Sequence, residues 1–341
     1  MARKLKAVVV VTSHAEFGTT GRPTGFYYEE MAIPYWALAD AGVEVDIASI
    51  RGGKAPHDPA SLNDRQPAAV TRFVADAAAM AKVADSLAIE AVGLDYDLIF
   101  LAGGHGTMWD FAQSEALVRL VGRLYDRGAI VASICHGAAG LVGAMRADGR
   151  PLVDGLRLTS FTDAEETAVG LTRVVPFLLE SRLRRLGARF DGAASFADHV
   201  VRDGRLITGQ NPASADALAE ALVTALVEVR AGDPDLPPLV RRTPEDAPVM
   251  VVLDLVARDA TAFRNHLLSV IPVTRLASGA RFSWSAETAD DPRRFTLIQA
   301  WDSLRQQEGY MAWRQARGDL EVFSGFLAEP PRVSILNVFD R

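Results

Sequence analysis

Four short apolar runs, Ala7–Val11, Val43–Ser49, Leu98–Ala102 and Ala129–Ile134, punctuate the first part of the chain. Short apolar runs of this length are expected for strands covered on both faces. Between them, apolar residues recur at helical spacing, which predicts helices over Phe26–Asp40, Pro67–Ala91 and Ser114–Asp126. Strands alternating with helices predict an α/β fold, a flavodoxin-like parallel sheet sandwiched by helices, with its site at the strand C-termini. Arg157–Thr159 and Leu206–Thr208 are further predicted strands, and Ser214–Val229 a long amphipathic helix.

The pattern breaks at Arg230–Pro248, where five prolines and several charges replace any periodicity. This stretch predicts a semi-rigid linker over 231–247 between a first domain, 1–230, and a second, 248–341. Beyond it, strands are expected at Val249–Ala257, Arg281–Glu287, Phe295–Trp301 and Val333–Val338, with helices at Ala260–Leu276 and Leu304–Ala316. That βαββαβ order predicts a ferredoxin-like α+β domain.

Composition narrows the function. The chain has 341 residues, 49% of them hydrophobic and 23% charged, as in a globular protein with a sizeable core. A net charge of -7 argues against a nucleic-acid partner, which selects a basic face. No apolar stretch reaches the length of a membrane span, so no membrane partner is expected. The basic start, Met1 to Lys6, leads into a short apolar run and is expected to be a first strand rather than a signal peptide. One cysteine excludes an intrachain disulfide and fits a reducing, cytoplasmic setting.

That cysteine, Cys135, ends the run Val131-Ala132-Ser133-Ile134 and is followed by His136-Gly137-Ala138-Ala139-Gly140. A side chain at a strand-to-helix turn projects into the open, and the helix N-terminus sets N–H groups and positive potential beside its sulfur. The expectation is a thiol with a lowered pKa acting as nucleophile; the plainer alternative is a buried cysteine acting as a small hydrophobe. Three other segments can converge on it. Thr24 to Pro34 includes Tyr27 and sets Glu30 in an apolar, aromatic helix start. Ala102-Gly103-Gly104-His105-Gly106-Thr107 follows a strand and offers exposed N–H donors for an oxyanion. Ser160 to Thr167 is polar and can supply a carboxylate to His136.

Together these segments resemble the ThiJ/PfpI superfamily, whose fold is class I glutamine-amidotransferase-like, and most closely its glyoxalase III-like branch. Asp110-Phe111, Gly149-Arg150-Pro151-Leu152 and Asp203 to Ser214 extend the resemblance over about Lys6 to Val229. By position, it implies Cys135 as nucleophile, His136 as its adjacent histidine and Glu30 as a buried glutamate. Glu166, or failing it Asp163, would be the third triad member. Backbone N–H groups of Gly104 and His136 would form the oxyanion hole, with Gly103, His105 and Tyr27 beside it. An ionised Glu30 would oppose a thiolate, so a protonated, desolvated Glu30 is expected.

The implied reaction converts a 2-oxoaldehyde to a 2-hydroxy acid on the protein's own sulfur, with no cofactor and no metal. The partner is a small-molecule aldehyde or another electrophile. A glutaminase would need a distant His-x-Glu, but His199 is followed at the second place by Val201. A hydratase or hydrolase with the same thiol, and a chaperone-like stress protein, are the other readings. The second domain, through Arg293 to Ser303 and Glu329 to Val333, resembles the antibiotic-biosynthesis-monooxygenase-like family. That implies homodimerisation through the sheet, and Trp284, Trp301, Tyr310 and Trp313 are candidates to line an aromatic pocket.

Overall fold

Val8, Val9 and Val10 are fully buried, because the strand that holds them is flanked by neighbours on both edges and covered on both faces. The computed structural model describes residues 4–63, 65–231, 237–238, 240, 242–243 and 245–338. It forms two compact units, one from Leu5–Leu38 with Glu44–Leu226, the other from Lys4 and Ala39–Val43 with the chain from Val227 onward. Of the expected linker, 231–247, residues 232–236, 239, 241 and 244 lie outside the described residues.

The first unit contains strands β1 (Lys6–Val11), β2 (Glu44–Ser49), β3 (Leu87–Ala88), β4 (Leu98–Leu101), β5 (Ile130–Ile134), β6 (Arg157–Leu158), β7 (Arg189–Phe190), β8 (Val200–Asp203) and β9 (Leu206–Gly209). Seven of them make one sheet in the order β3-β2-β1-β4-β5-β9-β8, while β6 and β7 pair separately. The sheet is parallel except at its β8 edge, which runs antiparallel to β9. Residues 204–205 close a two-residue hairpin there, with Gly204 at a φ of 59° in its first position. On one face Val10, Leu101 and Val131 pack against Leu117, Val121 and Leu124 of the helix Glu115–Asp126. Ser114 caps that helix by accepting the Leu117 N–H at 3.2 Å.

The single helix expected over Pro67–Ala91 is instead two, Ala68–Ala75 and Ala77–Ala84, followed by β3. Asp76 breaks it. Its backbone leaves helical geometry and its Oδ1 accepts the Ala79 N–H at 2.9 Å, capping the second helix.

The second unit is a four-stranded antiparallel sheet of β10 (Val249–Val256), β11 (Ala280–Thr288), β12 (Asp291–Trp301) and β13 (Arg332–Asn337), in the order β11-β12-β10-β13. That is the ferredoxin-like order expected. Helices Ala260–Thr274 and Leu304–Ala316 cover one face, with a third helix, Asp319–Gly325, that the sequence pattern did not reveal.

Candidate active site

Two strand ends build the site: β4 runs into Gly103-Gly104 and β5 into Cys135, side by side at the C-terminal edge of the sheet. The segment after β5 is a 3-10 helix, Cys135–Leu141, and Cys135 enters it with a φ of 54°. A non-glycine residue held there is strained, and such strain persists only where the surroundings enforce it. Thr107 is part of that enforcement: its buried hydroxyl bonds to Gly104 O at 2.9 Å and His136 O at 2.8 Å, tying the glycine loop to the turn.

His136 Nδ1 lies 3.2 Å from Cys135 Sγ, and its Nε2 lies 2.8 Å from Glu166 Oε2. His105 brings its own Nε2 to 3.2 Å from Glu166 Oε1, and the two imidazoles are 3.9 Å apart. Burial alone would push Glu166 up, but the two imidazole donors outweigh it and hold the carboxyl down at about 2. Burial, reinforced by His105, lowers His136 to about 4 against the pull of Glu166. The pair is therefore a neutral imidazole on an ionised carboxylate. Glu166 belongs to the short helix Asp163–Ala168, which Thr162 and Glu165 close with reciprocal capping bonds. Asp163, the alternative third member, turns away to accept from Ser181.

Glu30, in the first turn of the helix Tyr28–Asp40, is completely buried beside Cys135. A Cβ on Gly103 would run into Glu30 Oε2 and come within 2.9 Å of Cys135 Cβ, so only glycine lets the three groups meet. Both Glu30 oxygens are unpaired among the described residues apart from the thiol alongside, a weak donor. Burial raises its pKa to about 8, which keeps it protonated at neutral pH, as expected.

The expected lowering of the thiol pKa is not what the structure shows. Burial, then the Glu30 carboxyl, push Cys135 up, and the His136 backbone N–H only partly offsets them. The sulfur's residue is 5% exposed, and desolvation of a thiolate costs more than one N–H returns. The resting pair is thiol plus carboxylic acid.

The Gly104 N–H donates to no group among the described residues, and Gly104 has a φ of 108°. Tyr27 is half-buried nearby and donates its N–H to Gly103 O at 3.1 Å. So Cys135, His136, Glu30, Glu166, Gly103, Gly104, His105 and Tyr27 come together around one sulfur. Sequence reasoning missed the sharing of Glu166 by two histidines. His105 and His136 are 31 positions apart and show no ligand-like spacing. Each offers one ligand-type atom, with Glu166, within 4.8 Å of the others, but both Nε2 atoms are already engaged with that carboxylate.

In the second unit a cavity of about 280 Å³ lies between the sheet and its helices. Its lining is mostly apolar, with polar side chains from His266, Thr274, Gln299, Tyr310, Arg314, Asp319 and Ser324. The Tyr310 hydroxyl bonds to Thr274 Oγ1 at 2.7 Å and accepts from Arg314 Nε at 2.8 Å. Of the four aromatic candidates only Tyr310 lines this cavity. Trp301 is fully buried in a neighbouring cluster, Trp284 is 61% exposed, and Trp313 lies under Arg314 and Arg317.

No helix among the described residues is long and apolar enough to cross a membrane. The glutathione-independent glyoxalase HSP31 of Saccharomyces cerevisiae is 31% identical over 233 residues, covering 65% of this chain and 98% of that protein. Among solved structures, the Rapid Encystment Protein 24 kDa of Francisella tularensis superposes with a TM-score of 0.63 at 35% identity, covering 65% of this chain and 99% of its own. Glyoxalase III of Candida albicans superposes with a TM-score of 0.60 at 26% identity, covering 65% and 97%. Residues 23–225 match the DJ-1/PfpI family, and the chain belongs to that family.

Proposed function

We propose that this chain is a cysteine-dependent, glutathione-independent glyoxalase that converts a 2-oxoaldehyde to a 2-hydroxy acid. The observation that supports it most is the Cys135–His136–Glu166 file with neutral Glu30 on the sulfur's other side. Relatives named glyoxalase span the same segment.

In the first step Cys135 passes its proton to His136 Nδ1 as the sulfur adds to the aldehyde carbon. The new oxyanion is placed against the N–H groups of Gly104 and His136. The His136 imidazolium, or neutral Glu30, gives its proton to that oxyanion, and the group so freed takes the proton from C1 and returns it at C2 through an enediol, leaving a thioester of the 2-hydroxy acid. Water hydrolyses the thioester, releasing the acid and restoring the thiol. The protein's sulfur does what an external thiol would do. The test is lactate formation from methylglyoxal without glutathione, with Cys135→Ala as control; equal turnover by that variant would remove the proposal.

We assign this activity to a domain over 1–230, in a reducing, cytoplasmic setting, and residues 248–341 to an antibiotic-biosynthesis-monooxygenase-like domain. The apolar cavity with its Tyr310–Thr274–Arg314 end supports small-ligand capture in that second domain. Its sheet supports homodimerisation: Phe282, Trp284, Ile298, Met250, Val252 and Leu336 share the face away from the helices, and Trp284 and Leu336 are 61% and 49% exposed.

A further inference from the structure

Among the described residues only two that are not glycine have a positive φ: Cys135 and Phe196. Phe196, at 62°, is a bulky side chain in the left-handed region, and it is also 49% exposed. An exposed phenyl on a strained backbone returns nothing to the core, so the fold holds it there at a cost.

What holds it is Glu165. This fully buried carboxylate accepts the Phe196 N–H at 2.7 Å, the Gln210 amide at 3.1 Å and the Asn211 amide at 2.8 Å on Oε1. Its Oε2 accepts the Thr162 N–H at 2.8 Å and hydroxyl at 2.9 Å. Gln210 and Asn211 in turn bind Ala193 N, Ala194 O and Ala197 O, so the loop on both sides of Phe196 is anchored by buried polar groups. The Phe196 ring meets Phe161 at 6.3 Å, and Phe161 lies 4.4 Å from the His136 ring, its N–H bonded to Cys135 O. Phe196 is the outermost ring of a file that begins at the proposed base.

We propose that Phe196 is a specificity-determining residue, a phenyl wall for an aryl or long alkyl group on the ketone side of the 2-oxoaldehyde, and that Glu165 is its positioning residue. The proposal rests on the glyoxalase reading and names its substrate class. The experiment uses the full chain with methylglyoxal and phenylglyoxal, measuring kcat and KM separately. Wild type is expected to have the lower KM for phenylglyoxal. Phe196→Ala should raise that KM about tenfold, leaving kcat and both methylglyoxal constants unchanged, and Phe196→Tyr should restore it. Glu165→Gln should shift the preference in the same direction and add little in the double variant. Equal effects on both substrates, or no effect, would overturn the proposal. If neither substrate turns over, the glyoxalase reading fails. Binding of the products by NMR then decides this one: mandelate must bind more tightly than lactate in wild type and lose that advantage in Phe196→Ala.

Discussion

Glu166 accepts the Nε2 proton of His136 at 2.8 Å, and this bond decides which ring nitrogen meets the sulfur. An ionised carboxylate can only accept, so the proton is on Nε2, and Nδ1 turns its lone pair to Cys135 at 3.2 Å. In the proposed reaction the same carboxylate stabilises the imidazolium that would form when the thiol gives up its proton.

Replacing Glu166 with Gln keeps an acceptor for Nε2 but removes that charge. Turnover of methylglyoxal is expected to fall by about 10²–10³-fold, within the range of general-base contributions, while circular dichroism is unchanged. Alkylation of Cys135 by iodoacetamide should slow in parallel. Unchanged alkylation would mean that Glu166 does not act through the thiol.

Glu30 makes a second, independent statement about pH. Its folded pKa of about 8 lies above the ordinary 4.5. Below pH 4.5 both folded and unfolded chains hold the proton and the group is silent. Between 4.5 and 8 only the folded chain holds it, so stability falls with rising pH by ~1.4 kcal/mol per unit, to about 5 kcal/mol in all. Glu30→Gln should flatten this slope in denaturant titrations at pH 5, 6.5 and 8. It should also abolish the loss of activity expected above pH 8, where a Glu30 anion opposes the thiolate. An identical slope in wild type and variant would show that Glu30 is not held neutral.

Much of this arrangement was legible in the sequence, because the elements that position it are strongly patterned. Ile130–Ile134 is a fully buried strand whose sequence is apolar but for Ser133, so the turn at Cys135 stood out. Glu30 was conspicuous as an acid, next to Glu29, in an otherwise apolar, aromatic helix start. Burial depth was not legible: a helix-like N-terminus after Cys135 suggested a lowered thiol pKa, and only the packing around the sulfur reverses the sign. Glu165 could have been found, since Thr162-x-x-Glu165 is a capping-box spacing. Its second role, holding Phe196, joins residues 31 apart and leaves no local signal. Nor does the sharing of Glu166 by His105 and His136.

Gly103 tests the steric side of the site. Its missing Cβ is the space in which Glu30 Oε2 and Cys135 Cβ approach, with Ile134 O 2.8 Å from where that atom would be. Gly103→Ala must move the acid, the thiol or the β5 backbone. A destabilisation of about 1–3 kcal/mol is expected from overpacking, with loss of the Glu30-dependent slope in pH titrations if the carboxyl is displaced to water. Adding Glu30→Ala to Gly103→Ala should recover part of the stability, because it vacates the contested space. No recovery would place the conflict at Ile134 rather than at Glu30.

The second unit offers a test that leaves the chemistry alone. Ile298 pairs across the sheet with Trp284 on one side and Val252 on the other, at the centre of the apolar outer face. If two copies meet there, Ile298 is covered and Trp284 leaves water, and burying side chains of this size contributes ~2–3 kcal/mol each. A carboxylate at 298 would be desolvated opposite its own copy, so Ile298→Glu should weaken self-association by at least about 10²-fold. Sedimentation velocity of the full chain should then show a dimer for wild type and a monomer for the variant at the same concentration. Methylglyoxal turnover should be the same in both, since every group proposed for that reaction belongs to the first unit. A dimer that survives Ile298→Glu must use another surface.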